Sequence, residues 1–173
     1  MPDTFVAANH ALQAGLQSIA RKNEMAERRQ VEGARGRERL LLARRRAAQE
    51  IARHAGGRSL PRFNAMLLEQ AWTDVLSLAL LRGGEDTAAW RELSDATATI
   101  VQASLSSVRP EPDTQLVARL QDALGLVGYH AEDASAIAYQ LANGRPDDDD
   151  LSSRTELIVQ LKARARLGEE QVA

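Results

Sequence analysis

Between Leu60 and Trp90 the chain carries two apolar patterns at helical spacing, joined by Gly83-Gly84, with a tryptophan near an end of each. This feature dictates a helical hairpin, because apolar residues recurring at i, i+3, i+4 and i+7 need a facing surface and the glycine pair supplies the stop. Pro61 falls in the first turn, where its missing N–H is harmless. From there to Leu81, Met66, Leu67, Ala71, Val75 and Leu78 together with Leu68, Trp72, Leu76 and Leu80 are apolar over most of the circumference. Such a helix is expected to be surrounded by others. Asp86 or Thr87 is placed to cap the next helix, which carries Trp90, Leu93, Ala96 or Thr97, and Ile100 on one face. Phe63, Trp72, Leu76, Trp90 and Leu93 are the predicted structural core.

The composition favours the same class. Hydrophobic residues make up 44% of the chain but aromatics only 3%, so the apolar mass is Leu, Ala, Val and Ile, which suits helices better than aromatic-rich sheets. A length of 173 residues is ample for one self-sufficient core. There is no cysteine, which removes disulfides, thiolate nucleophiles and Cys-ligated zinc together and fits a reducing compartment. No stretch approaches the length of a membrane span. A cytoplasmic protein without membrane contact is expected.

Upstream of the hairpin, Leu12, Leu16 and Ile19 predict a helix over about residues 5–31. Gly33 and Gly36 then interrupt a charged run, and since each costs about 1 kcal/mol against alanine inside a helix, a break is expected there, with helicity resuming at Arg37. Leu40, Ala43, Ala47 and Ile51 form a narrow stripe flanked by arginines, ended by Gly56-Gly57. Downstream, Asp113 is a natural cap for a helix with Leu116, Leu120, Ala123 and Leu124 in register. A further helix over 131–142 stops at Asn143-Gly144. Ser153-Arg154-Thr155-Glu156 reads as a capping box opening a last helix with Leu157, Leu161 and Ala165. The predicted fold is all-α, with six or seven helices. An acidic, compact, orthogonal or bundle-like body of residues 57–173 follows a basic helical arm of residues 1–56.

Charge is segregated along the chain. Residues 21–54 hold eleven Lys or Arg against five Glu, residues 1–20 hold one Asp, and the remainder carries a net −7 beneath an overall charge of −2. Such an arm is expected to dock on the acidic body of its own or a neighbouring chain, or to contact nucleic acid.

Motifs that carry chemistry are missing. The sequence has no phosphate-binding Gly-x-x-x-x-Gly-Lys loop, no His-Glu-x-x-His, no nucleophile elbow and no paired Glu-x-x-His. His10, His54 and His130 are scattered and read as solvated surface. Asp147-Asp148-Asp149-Asp150 lacks the alternating ligands and bend-forming glycine of a calcium loop and reads as a solvated linker. No metal, cofactor or catalytic residue is predicted.

The residues that opened the argument also carry a resemblance. Arg44-Arg45-Arg46 into Ile51, Leu60-Pro61-x-Phe63, Leu68, Trp72, Val75-Leu76, Leu81-Arg82-Gly83-Gly84-Glu85-Asp86 and Trp90 resemble part of a large proteobacterial domain-of-unknown-function family. Leu120, Leu124-Gly125-Leu126 and Gly128-Tyr129 look like a second block, so the similarity runs from about Arg44 to Leu141. Family members are longer and some are loosely labelled thymidine phosphorylase, so the resemblance implies kinship with their C-terminal part. This chain lacks a third tryptophan, reading Ala98 to Ser104 where the family has an apolar, tryptophan-containing stretch, and no catalytic residue transfers.

The expected function is a non-enzymatic helical interaction or regulatory module that self-associates. Its predicted contact residues are Leu40, Arg44, Arg45, Arg46, Ala47 and Ile51, with another protein or a second copy as partner. The alternatives are nucleic-acid binding through the Arg-rich 21–54 segment, binding of a nucleotide second messenger by Arg35 and Arg39, and an unrecognised enzyme.

Overall fold

The protein is seen here as a computed structural model that describes residues 2–106, 111, 113–144 and 157–164. All regular structure among those residues is helical. In chain order it comprises α1 (Pro2–Ala55), α2 (Arg62–Leu67), α3 (Thr73–Gly83), α4 (Ala88–Leu105), α5 (Thr114–Leu126) and α6 (Ala131–Asn143), with a π-helical turn, Leu68–Trp72, joining α2 to α3. Residues 157–164 are helical as well. The chain divides into two units at the Leu41–Leu42 bond, inside α1 rather than at the glycine pair after it.

The expected break at Gly33 and Gly36 does not occur, because α1 runs unbroken through both. Their neighbours are mostly Ala, Arg, Glu, Gln and Leu, the strongest helix formers, and two penalties of about 1 kcal/mol are absorbed in so long a cooperative run. Nothing lies within reach of a Cβ added at Gly36, so packing does not demand glycine there. Pro61 stands one position earlier than expected, at the N-cap of α2 with an extended ψ of 137°. Its carbonyl accepts the Ala65 N–H at 2.9 Å.

Within the unit that begins at Leu42, the core joins parts of every helix. Leu67, Leu68, Ala71, Trp72 and Leu76 are fully enclosed, and they meet Ile100 and Val101 of α4, Leu120 and Leu124 of α5, and Ile137, Ala138 and Leu141 of α6. Leu161 closes one side. Ala47 is completely buried, with Ile51 and Ala55 packed against the same core. Trp72 donates its indole N–H to Thr97 Oγ1 at 2.8 Å, so the largest buried ring leaves no polar atom unsatisfied.

The caps agree with the sequence. Thr87 accepts the Trp90 N–H and Asp113 accepts the Gln115 N–H. The π turn was not legible in advance. It places both the N–H and the Oγ1 of Thr73 on the Leu68 carbonyl, and the added residue widens the turn so that adjacent pairs, Leu67-Leu68 and Ala71-Trp72, all enter the core. Gly144 ends α6 with φ +77°, and a Cβ there would overlap the Ala103 carbonyl. This close approach lets Asn64 donate to both the Gly144 carbonyl and Ser104 Oγ, while Gln140 donates to Asn64 Oδ1. One buried amide thus ties α2 to α4 and α6. The acidic run Asp147–Asp150, the capping box Ser153–Glu156 and Ala165 lie outside the described residues.

Candidate functional site

The unit that ends at Leu41 is one helix whose large apolar residues cluster along one face, with Val6, Met25 and Val31 exposed off it. Phe5 is 78% exposed, Leu12 63%, Leu16 59% and Ile19 56%, and their spacing places all four on one stripe. Asn23 and Ala26 continue that stripe and are exposed too. Every residue from Asp3 to Arg39 is exposed. Isolated surface leucines are ordinary, but a row of large apolar residues along one face is a candidate contact surface.

The predicted contact stripe has a different fate. Ala47 is inaccessible and Ile51 packs on the core, so those two positions are covered by the chain's own body. Arg44 reaches Asp74 at 3.5 Å. Arg46 pairs with Glu50 at 2.9 Å and with Glu85, and its guanidinium lies 5.5 Å from the centre of the Trp90 ring. Arg45 is exposed and Leu40 half-exposed. Ala43 and Ala47 are buried within this chain, and the charges of the flanking Arg44 and Arg46 meet carboxylates on α3 and in the loop before α4 while their stems can cover apolar surface. Of the predicted core residues, Trp72 and Leu76 are fully buried, Trp90 nearly so, and Phe63 and Leu93 partly.

Sequence reasoning missed the polar cluster that this docking creates. Glu50 is 1% exposed and accepts from Arg46, Arg53 and Ser94, with His54 Nε2 3.1 Å from its Oε1. The paired Arg53 guanidinium leads in holding the Glu50 carboxyl down at about 2, with Ser94 and Arg46 assisting against the opposing effect of burial. His54 is consequently not solvated surface but half-enclosed, touching Glu50 and Ser94 through the same ring nitrogen. A Ser-His-Glu relay needs the two ring nitrogens to face different partners. Here Ser94 donates straight to Glu50 at 2.7 Å, so the geometry is that of a brace. The available signal was Glu50 standing four after Arg46, three before Arg53 and four before His54 on one helix.

A second polar knot surrounds Asp74. Tyr129 donates to it at 3.4 Å, and the Arg164 guanidinium lies 4.0 Å from the Tyr129 ring centre while bonding the carbonyls of Val127 and Gly128. Burial raises the Asp74 carboxyl, and burial with the neighbouring Asp74 charge pushes the Tyr129 hydroxyl up to about 12. On the π turn, Gln70 Oε1 is buried without a hydrogen-bond partner.

A groove of about 680 Å³ lies between α3, α4 and α5, lined by the apolar Leu78, Ala79, Leu93 and Leu116 and by the charged Arg82, Glu92, Asp95, Arg119 and Asp122. Its two threonines are occupied locally: Thr87 bonds the Gly84 carbonyl and Trp90 N–H, and Thr99 bonds the Asp95 carbonyl. Among the described residues no group of three or more histidines and carboxylates is arranged to hold a metal ion, and no helix is long and apolar enough to cross a membrane.

Taken together, the architecture is that of an all-helical domain whose polar clusters brace helices and whose most accessible apolar row lies on one helix. The chain belongs to the family described as protein of unknown function (DUF1631), third domain, which matches residues 33–142. That span encloses the stretch from Arg44 to Leu141 on which the sequence resemblance rested. No curated protein and no solved structure matches the chain.

Proposed function

We propose that the protein is a non-enzymatic helical interaction module that associates through the apolar face of residues 5–26. The observation that carries this reading is the row Phe5, Leu12, Leu16 and Ile19, each more than half exposed. Full burial of such side chains stabilises by about 1.5–3 kcal/mol each, so the four offer roughly 6–12 kcal/mol, comparable with the cost of association. A reversible contact results. The body supplies a braced scaffold in which Arg44 and Arg46 are already committed to carboxylates.

Nucleic-acid binding is a second reading, supported by the exposed cations from Arg21 to Arg39, none of which is ion-paired among the described residues. It requires affinity that falls steeply with salt, and a flat salt response removes it.

The interaction reading is tested with a photo-reactive residue at position 16 of the full chain in living cells. A discrete adduct that disappears when Leu12 and Ile19 are both changed to Asp supports it. An absence of adducts, or adducts indifferent to those changes, rejects it.

A further inference from the structure

We infer that the occupant of this face is a second copy of the same chain, paired through residues 5–30 as a parallel, in-register two-stranded coiled coil. This rests on the reading of the face as a contact surface and names its partner.

The register comes first. Phe5, Leu12, Ile19 and Ala26 recur every seven residues, and Asn9, Leu16, Asn23 and Gln30 stand four beyond each. Alternating steps of four and three average 3.5 residues, the repeat that keeps one seam facing a partner through a left-handed supercoil. All eight positions are exposed in the single chain.

The flanking charges then select the partner and its direction. In a parallel, in-register pair, the residue just before one seam position faces the residue five places on in the other strand. Lys22 therefore meets Glu27 of the second copy, and Glu27 meets Lys22 of the second copy. Both residues are exposed. Asn9 and Asn23 each meet their own counterparts, and a side-chain amide is both donor and acceptor, so two can satisfy one another. A seam asparagine is a known determinant of register and strand number. In the antiparallel arrangement Asn23 faces an apolar seam residue and its amide is left unpaired, and Lys22 lies on a flank that meets itself rather than the flank of Glu27, so that ion pair is lost as well. The sequence of this face is thus complementary to itself in one direction only. The two asparagines and the small Ala26 weaken the seam, which makes the pair a concentration-dependent dimer.

The test uses the full chain, whose lack of cysteine makes any introduced one diagnostic. Sedimentation across a concentration series should show a monomer–dimer equilibrium. Under mild oxidation, Asn9→Cys should cross-link to itself. An equimolar mixture of Asn9→Cys with a size-tagged Gln30→Cys chain should give only the two symmetric products. Lys22→Glu and Glu27→Lys should each weaken the dimer roughly three- to tenfold, two exposed ion pairs being lost together, and the double variant should recover it. A chain that stays monomeric, a dominant mixed 9–30 product, or reversals without effect overturns the inference. The photo-adduct separates this failure from that of the wider reading. An adduct of a different mass that still needs Leu12 and Ile19 keeps the contact surface and rejects the second copy, whereas no adduct rejects both.

Discussion

One helix, α1, serves two regions of the molecule, and the regions invert the usual relation between residue type and burial. Before Leu41 its largest apolar side chains, Phe5, Leu12, Leu16 and Ile19, are exposed; after it, two alanines and a glutamate, Ala43, Ala47 and Glu50, are buried. Hydrophobicity alone therefore did not decide what was enclosed. The second stretch buries small side chains, and a carboxylate could be buried there because it accepts from Arg46, Arg53 and Ser94. The first stretch has larger apolar residues but no packed surface within its own unit. In this protein, polar satisfaction decides that a carboxylate of the second stretch is buried, while the first stretch leaves its larger apolar residues exposed.

Substitutions in the two regions should differ by an order of magnitude in their effect on the folded body. Trp72→Ala should cost about 3–5 kcal/mol, the range for truncating a fully enclosed aromatic, as read by chemical denaturation. A mild effect would mean that the core is looser than its burial implies. Next comes Gly144→Ala, which combines a left-handed φ with overlap of the Ala103 carbonyl and should cost about 2–4 kcal/mol. Gly125→Ala, with open space around it, is the control and should not destabilise.

Glu50→Gln probes the polar brace and should cost up to about 3.5 kcal/mol near neutral pH, from a carboxyl lowered from 4.5 to about 2 at about 1.4 kcal/mol per unit. A depressed folded-state value means the contribution is complete above about 4.5 and is lost as pH falls from there towards 2. Acid titration of stability should consequently be shallower in the variant than in the wild type. Equal acid limbs would show that Glu50 is not a source of the pH dependence.

The smallest effects belong to the N-terminal helix. Gly36→Ala should raise helicity and stabilise that stretch by about 0.5–1 kcal/mol, measured by circular dichroism or hydrogen exchange of its amides. Leu16→Asp in a dilute sample should change the stability of the body by less than about 0.5 kcal/mol. A large loss would mean that this face is enclosed within a single chain, and it would erase the contrast between the regions.

Much of the body could be read from the residues. The glycine pair, the Thr87 and Asp113 caps and the alternation of apolar positions located α3 to α6, because caps and periodicity act over a few neighbours. The two tryptophans were rightly placed in the core. The sequence misjudged Gly33 and Gly36, where a local penalty was outweighed by a long cooperative run. It also missed the knot at Asn64, whose partners Ser104, Gln140 and Gly144 lie far along the chain.

The proposed contact face was half legible. Leu12, Leu16 and Ile19 announced an amphipathic helix, and Leu40 to Ile51 announced another stripe of similar quality. Periodicity says that a face seeks burial but not whether the chain itself provides it.

What the residues alone determined is the all-helical class, the order of helices, their caps and the segregation of charge, since these follow from interactions a few residues in reach. Tertiary structure alone decided that Ala47 and Glu50 would be covered and that His54 would join Glu50 and Ser94. The physical reason is that burial is a relation between distant surfaces: its free energy is realised only where shape, charge and hydrogen-bonding groups from separate helices coincide.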